Sequence, residues 1–325
     1  MLPFLLRRFL WFLLTMFSVV TVSFFLMHAV KGGPFDGERD LDPAVEANIK
    51  ARYHLDWPLW KQYFQYVGPF NLDEYGIVGD RTRPFGGVLV GDLGPSFKYK
   101  DYTVNQIIGQ SLPISIALGS VAMAFALMLG LSAGVLSALR RGSGLDLSAR
   151  LLATTGIALP NFVIAGFLII VFAFQLGWLP VAGWGSLDNL VLPALALGAP
   201  FAAYIARLTR TGMLEVLSQD HIRTARAKGL PNTTVLLRHA IKGGLLPVVS
   251  YLGPATAGIL TGSLVIERMF AIPGTGSFFV ASALNRDYTL AMGVTILYTV
   301  LVYALNTVVD LAYTFLDPRI ELEEA

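Results

Sequence analysis

Leu112–Leu139 reads LPISIALGSVAMAFALMLGLSAGVLSAL, an apolar run without a single Asp, Glu, Lys or Arg, closed by Arg140 and Arg141. An apolar run of about 20 residues crosses a hydrocarbon core of about 30 Å as a helix, because only a helix satisfies its own backbone in lipid. Within the run Ala126, Gly130, Gly134 and Ala138 recur every fourth position, and at 3.6 residues per turn they form one smooth stripe that admits another helix closely. The stretch therefore reads as a membrane helix packed against protein.

Working outward, comparable runs occupy Phe9–Val30, Leu151–Leu176, Leu190–Leu214, Leu245–Ile266 and Thr289–Phe315. Two further small-residue stripes follow: Ala194, Gly198, Ala202 and Ala206, then Pro254, Gly258 and Gly262. Composition agrees, since 325 residues with 54% hydrophobic, 14% charged and a mean hydropathy of +0.61 depart from a soluble domain in both directions. The expected fold is an all-α polytopic membrane protein of six transmembrane helices.

Charge placement orients it. Arg7 and Arg8 precede the first run, Arg140, Arg141 and Arg150 lie between the second and third, and Arg207, Arg210, Arg223, Arg226, Lys228, Arg238 and Lys242 surround the junction of the fourth and fifth. Short basic loops stay in the cytoplasm, so both termini are expected inside. The expected division is an N-terminal transmembrane helix over 1–31, a small extracytoplasmic domain over 32–110, and a five-helix core over 111–325 that contains a cytoplasmic loop at 216–242. In the outer domain, Asp42 and Pro43 open a helix over Ala44–His54 and Asp56–Pro58 a second over Leu59–Val67. Trp60, Tyr63, Phe64 and Tyr66 then read as core or membrane-interface aromatics. Gly76–Gly91, with Ile77, Val78 and Val88–Val90, reads as a short hairpin.

Catalytic chemistry finds little to stand on. Cysteine is absent, the four histidines (28, 54, 221 and 239) are scattered, and no H-E-x-x-H or G-x-S-x-G occurs. No lysine is followed by serine or threonine, so no phosphate-cradling P-loop exists. The chain is expected to be no enzyme, with no cofactor or metal of its own. Ionisable residues inside the spans are scarce: Asp310 lies near the inner end of the last one, and His28 and Glu267 lie at outer ends. That weakens, without removing, an autonomous ion-coupled carrier. Prolines at 160, 193, 200, 247 and 254 favour broken, movable helices over a static anchor.

The most informative loop is Ser218–Pro247, SQDHIRTARAKGLPNTTVLLRHAIKGGLLP. Ser218 or Asp220 is expected to cap a helix reaching about Lys228, Gly229 to supply its left-handed end, and Pro231 to block continuation. Thr233 would cap the next helix. A short helix with hard stops is a rigid knob, and Arg223, Arg226 and Lys228 offer it to an acidic partner.

Arg223–Leu230 (RTARAKGL), with LLRHAI at 236–241 and LLP at 245–247, resembles the cytoplasmic signature of ABC importer permeases of the oligopeptide/dipeptide/nickel branch. Thr224, Ala225 and Arg226 stand where the general signature has Glu-Ala-Ala. Segments 33–64, 91–105, 262–290 and the ending DPRIE at 317–321 resemble B-type membrane subunits of bacterial oligopeptide permeases, with 70–89 as an insertion. The resemblance implies a bacterial inner-membrane subunit importing oligopeptides by alternating access, or else dipeptides, nickel chelates or sugar oligomers. It implies a second, homologous permease subunit, two ABC ATPase subunits that hold ATP and magnesium, and an extracytoplasmic peptide-binding protein, with no nucleic acid. ATPase coupling would fall to Asp220, Ile222, Arg223, Thr224, Ala225, Arg226, Ala227, Lys228, Gly229 and Leu230. Asn161, Arg286 and Asn306 are candidates for the translocation path.

Overall fold

A computed structural model describes residues 2–29, 54–69, 86–99 and 101–316. The elements run α1 (Leu2–Ala29), α2 (Leu59–Val67), a 3-10 turn (Val88–Val90), α3 (Val104–Leu139), α4 (Gly144–Ala158), and α5 (Asn161–Leu168), which continues as a π segment over Ile169–Gln175. Then come α6 (Asp188–Leu217), α7 (Asp220–Ala227), α8 (Asn232–Thr234), a π segment over Val235–Ala240, α9 (Ile241–Gly244), α10 (Leu246–Gly262), α11 (Leu264–Met269), α12 (Thr275–Leu284) and α13 (Tyr288–Leu316). Among the described residues, five spans are long and apolar enough to cross a membrane, and the bent pair α4–α5 makes up to six. Among the described residues there is no strand, only an isolated bridge between Pro95 and Thr103.

The third span is broken by 112° between Ala158 and Asn161. Leu159, immediately before Pro160, is extended at φ −85°, ψ 131°, as the proline ring requires of its predecessor. Pro160 also has no N–H to continue the ladder, so a new helix starts after it.

The described chain divides into two compact units, one of residues up to Ile114 with Pro273–Tyr303 and the other of Ser115–Ile272 with 304–316. In the first, Val20 and Phe24 of α1, Tyr66 of α2, and Tyr288, Met292 and Ile296 of α13 form one buried cluster. Tyr66 keeps its ring there, and burial pushes its phenol up from the usual tyrosine value. The aromatic stripe of α2 is thus split: Tyr66 is buried core, whereas Trp60 and Phe64 are exposed. Most of α1 is exposed apolar surface, from Phe9 and Leu10 through Phe17 to Leu26, which suits contact with lipid.

Asp287 anchors the outer part of this unit. Although 1% exposed, its carboxylate accepts from Ser96 Oγ at 2.5 Å, from the N–H groups of Phe97 and Lys98 at 3.2 and 3.3 Å, and from Leu290 N–H at 3.2 Å. Replacing Asp287 with alanine leaves these donors unpaired and is expected to cost about 3 kcal/mol. Trypsin added outside spheroplasts should then cut at exposed Lys98 roughly a hundredfold faster, through local opening. An unchanged cleavage rate would refute the anchoring role.

In the second unit the small-residue stripes meet each other. A Cβ at Gly130 would lie 2.7 Å from the Ala202 carbonyl, one at Gly134 2.6 Å from that of Ala206, and one at Gly198 2.6 Å from that of Ala122. The α3 and α6 backbones are therefore in direct contact, with Ala126, Ile205 and Val248 buried around them. Gly258 of the third stripe faces the Phe201 ring. Glu267, fully buried, accepts from Ser115 Oγ at 2.7 Å and Ser263 Oγ at 2.6 Å, tying α3 to α11.

Two local expectations change. Val88–Val90 forms one 3-10 turn rather than a hairpin arm, because Gly87 and Gly91 both take positive φ (102° and 78°) and curl the chain at each side. The outer loop before the last span contains α12, whose pattern is too short and uniformly apolar to stand out. The expected helix over 44–54 lies outside the described residues save for His54, as do residues 70–85 of the insertion.

Candidate functional site

The basic knob forms where the last turn of α6 hands over to α7. α7 runs Asp220–Ala227 with two residues turned inward, Ile222 at 0% and Ala225 at 5% exposure. They are spaced i, i+3 and so share a face. They join Ala138 of α3, Met213 and Val216 of α6, and Val235 and Ala240 in one cluster. The remaining residues of α7, Asp220, His221, Arg223, Thr224, Arg226 and Ala227, are exposed, as is Lys228 at its C-cap. A seat for α7 is thus built from the ends of two membrane helices.

The start of α7 differs from expectation. Gln219 is the N-cap residue and makes no side-chain cap bond. Asp220 is the first helical residue, where its charge suits the helix N-terminus, and Ser218 Oγ donates instead to the Glu215 carbonyl. Asp220 also pairs with Arg223 at 3.3 Å, but both are exposed, so the pair adds little. Thr233 is likewise no cap. Pro231 holds the N-cap position, and α8 passes directly into the π segment.

The end of α7 is as the residues require. Gly229 has φ 73°, its N–H bonds the Arg226 carbonyl at 2.9 Å, and Leu230 N–H bonds the Ala225 carbonyl at 3.4 Å. This double closure is the Schellman arrangement, which needs a left-handed residue at that position. Nothing lies within 4 Å of a Cβ built on Gly229, so conformation rather than space selects glycine.

A second device, not foreseen in the sequence, holds the seat together. Asp146 in the first turn of α4 is 1% exposed and receives both forks of Arg210 of α6, Nε at 2.7 Å and Nη2 at 3.0 Å. Ser137 Oγ of α3 donates to it at 2.6 Å and Gly142 N–H at 2.9 Å. Ser143 caps α4, its Oγ accepting from Asp146 N–H at 3.3 Å. One carboxylate therefore joins α3, α4 and α6 a few turns from α7, while Ser143 supplies an ordinary N-cap to α4. The available signal was Ser143 three residues before the only carboxylate in an otherwise basic loop.

The proposed path residues lie on different elements. Asn161 begins α5 just after the break, and Asn306, half-buried, lies in the part of α13 that belongs to the second unit. Arg286 follows α12 in the first unit at φ 57°. Among the described residues no group of three or more His, Cys, Asp or Glu is placed to hold a metal ion.

These features define a multi-pass helical membrane protein with an apolar core and a seated basic protrusion. Two family models match almost end to end: binding-protein-dependent transport system membrane component, N-terminal, over residues 1–119, and binding-protein-dependent transport system inner membrane component over residues 126–322. The chain belongs to this family of bacterial inner-membrane permeases. It is similar to the oligopeptide transport system permease protein OppB of Escherichia coli (strain K12), 47% identical over 322 residues, 98% of this chain and 99% of that protein. The dipeptide transport system permease protein DppB of Bacillus subtilis (strain 168) is 42% identical, covering 99% of this chain and 98% of DppB. In fold it resembles a chain of an inward-facing MetNI methionine ABC transporter, with a TM-score of 0.55, 17% identity, and 65% of this chain and 96% of that one covered.

Proposed function

We propose that this chain is the permease subunit of an ATP-driven oligopeptide importer and forms one half of a gated corridor across the inner membrane. The observation that carries the reading is the 47% identity to an oligopeptide permease over 98% of the chain. The two peptide-system relatives, OppB and DppB, share its length from end to end.

In this reading residues 1–31 form an N-terminal anchor helix, 32–110 an outer domain facing a peptide-binding protein, and 111–325 the permease core. A homologous second permease completes the corridor, and two ATPase subunits dock on the 216–242 loops. ATP and magnesium belong to those subunits, and this chain holds no cofactor and performs no hydrolysis. α7 would act as the coupling element. Its basic outer face offers Arg223, Arg226 and Lys228 to an acidic cleft, while Ile222 and Ala225 fix it to α3 and α6. A push on α7 then reaches the membrane helices without being absorbed, and the two bundles exchange inward- and outward-facing arrangements. Asn161, Arg286 and Asn306 would offer uncharged or peripheral polar contacts along the path.

The test is reconstitution. Purified in mild detergent, the chain should bring down a sister permease and two ATPases. In liposomes the assembled complex with its binding protein should accumulate a labelled oligopeptide only when ATP reaches the ATPases. Uptake by this chain alone on a proton gradient, without nucleotide, would overturn the proposal in favour of an ion-coupled carrier.

A further inference from the structure

The Asp146 clamp leaves a surplus of positive charge beside it. A cavity of about 150 Å³ opens next to the clamp, its polar lining made by Ser137 of α3, Arg150 and Thr154 of α4, and Arg207, Arg210 and Thr211 of α6. Glycine and alanine form much of the rest of its wall. Three arginines line this space, and Asp146 is the carboxylate paired with two of them, Arg150 and Arg210. Arg210 is committed to it at 2.7 Å, and Arg150 reaches it only at 3.6 Å with a side chain 53% exposed. Arg207 lies over the Tyr204 ring at 4.8 Å and has no carboxylate partner among the described residues. Asp146 already receives four hydrogen bonds from Ser137, Gly142 and Arg210. Two positive charges thus remain uncompensated at a cavity in a protein otherwise short of charge.

From this geometry we infer a binding site for a phosphate-class anion between α4 and α6. The guanidinium fork matches tetrahedral oxyanions, giving paired hydrogen bonds that a lysine point charge does not. Thr154 and Thr211 add hydroxyls at the same cavity. Charge placement puts the site at the cytoplasmic face, on the side of Arg140 and Arg141, where basic recesses between membrane helices meet anionic headgroups. The α4 surface alongside is apolar and exposed at Leu147, Leu151 and Leu152, as acyl chains would require. The phosphodiester of an inner-leaflet phospholipid and free inorganic phosphate share this chemistry. Either would bridge Arg150 to Arg207 and brace α4 against the helix that ends in α7. The inference needs only the inner-face orientation and does not depend on which solute is imported.

The assembled complex is incorporated into nanodiscs of phosphatidylcholine and phosphatidylglycerol in equal amounts, and the lipid retained after extraction is counted by native mass spectrometry. The variant Arg150→Gln/Arg207→Gln changes two exposed side chains and leaves the Arg210 fork on Asp146 in place. Arg140→Gln/Arg141→Gln removes the same charge outside the cavity. Wild type and the second variant should retain phosphatidylglycerol selectively, and the first should lose it roughly thirtyfold, about fivefold per arginine. If inorganic phosphate competes the lipid off and raises the melting temperature of wild type only, the site exists and takes the free ion. If phosphate does neither, the site exists and takes the lipid. Equal retention of both lipids by wild type, or equal losses in the two variants, would overturn the inference, and neither readout requires transport.

Discussion

Gly198→Leu is expected to abolish accumulation of folded chain. A Cβ there would sit 2.6 Å from the Ala122 carbonyl oxygen, a backbone atom that cannot rotate away, so even alanine forces α6 from α3. Leucine adds a branched side chain where two helix backbones already touch. Overpacking costs about 3 kcal/mol or more when the neighbour is backbone rather than a flexible side chain, and tight packing is the main force joining helices in lipid. The control is Gly166→Ala in α5, where no atom lies within 4 Å of the new Cβ and accumulation should match wild type. Fluorescence-detected size exclusion of tagged chains measures both. A monodisperse Gly198→Leu peak at wild-type height would disprove the close α3–α6 contact.

That contact was readable because a four-residue recurrence of small side chains has one geometrical meaning in a helix. Ala126–Ala138 and Ala194–Ala206 each point along one face, and the structure puts the two faces together. The spans were legible for a related reason: hydrocarbon tolerates no compromise over backbone hydrogen bonds, so length and hydropathy decide. Pro160 was visible as a helix breaker, but a proline in a sequence does not state the angle, and the 112° turn depends on how Leu159 and Asn161 settle around it. Glu267 and Asp287 sit in the sequence as isolated acidic residues beside Arg268 and Arg286, with nothing local to mark their partners. Both carboxylates are buried and hydrogen-bonded to partners far along the chain, Ser115 and Ser96. Pairings between distant positions leave no local period, and Asp146 with Arg210 escaped notice for the same reason. The expected caps at Ser218 and Thr233 failed because a polar residue near a helix start has several backbone partners within reach.

Gly229→Val should eliminate peptide uptake while the chain still inserts and assembles. Gly229 holds φ 73°, a region that a β-branched residue enters only under strain of about 1–3 kcal/mol. Its neighbourhood is empty, so the substitution creates no collision. The effect runs wholly through the closure of α7: without a left-handed residue, Gly229 N–H and Leu230 N–H lose the Arg226 and Ala225 carbonyls and the last turn frays. In the proposed coupling, a frayed knob would yield under load, and motion of the ATPase would be spent on α7 rather than passed to α3 and α6. Gly229→Asn supplies the rescue, since asparagine visits the left-handed region and should restore most of the uptake. Ile222→Ala attacks the other end of the lever. Losing a fully buried isoleucine costs about 2–5 kcal/mol and unseats α7 from Ala138, Met213 and Val216. Uptake in proteoliposomes should fall more than tenfold in Gly229→Val and Ile222→Ala, with hydrolysis no longer following peptide delivery. The asparagine variant sharpens the inference: if Val and Asn at position 229 were equally silent, or equally harmless, a rigid knob could not be what carries the stroke.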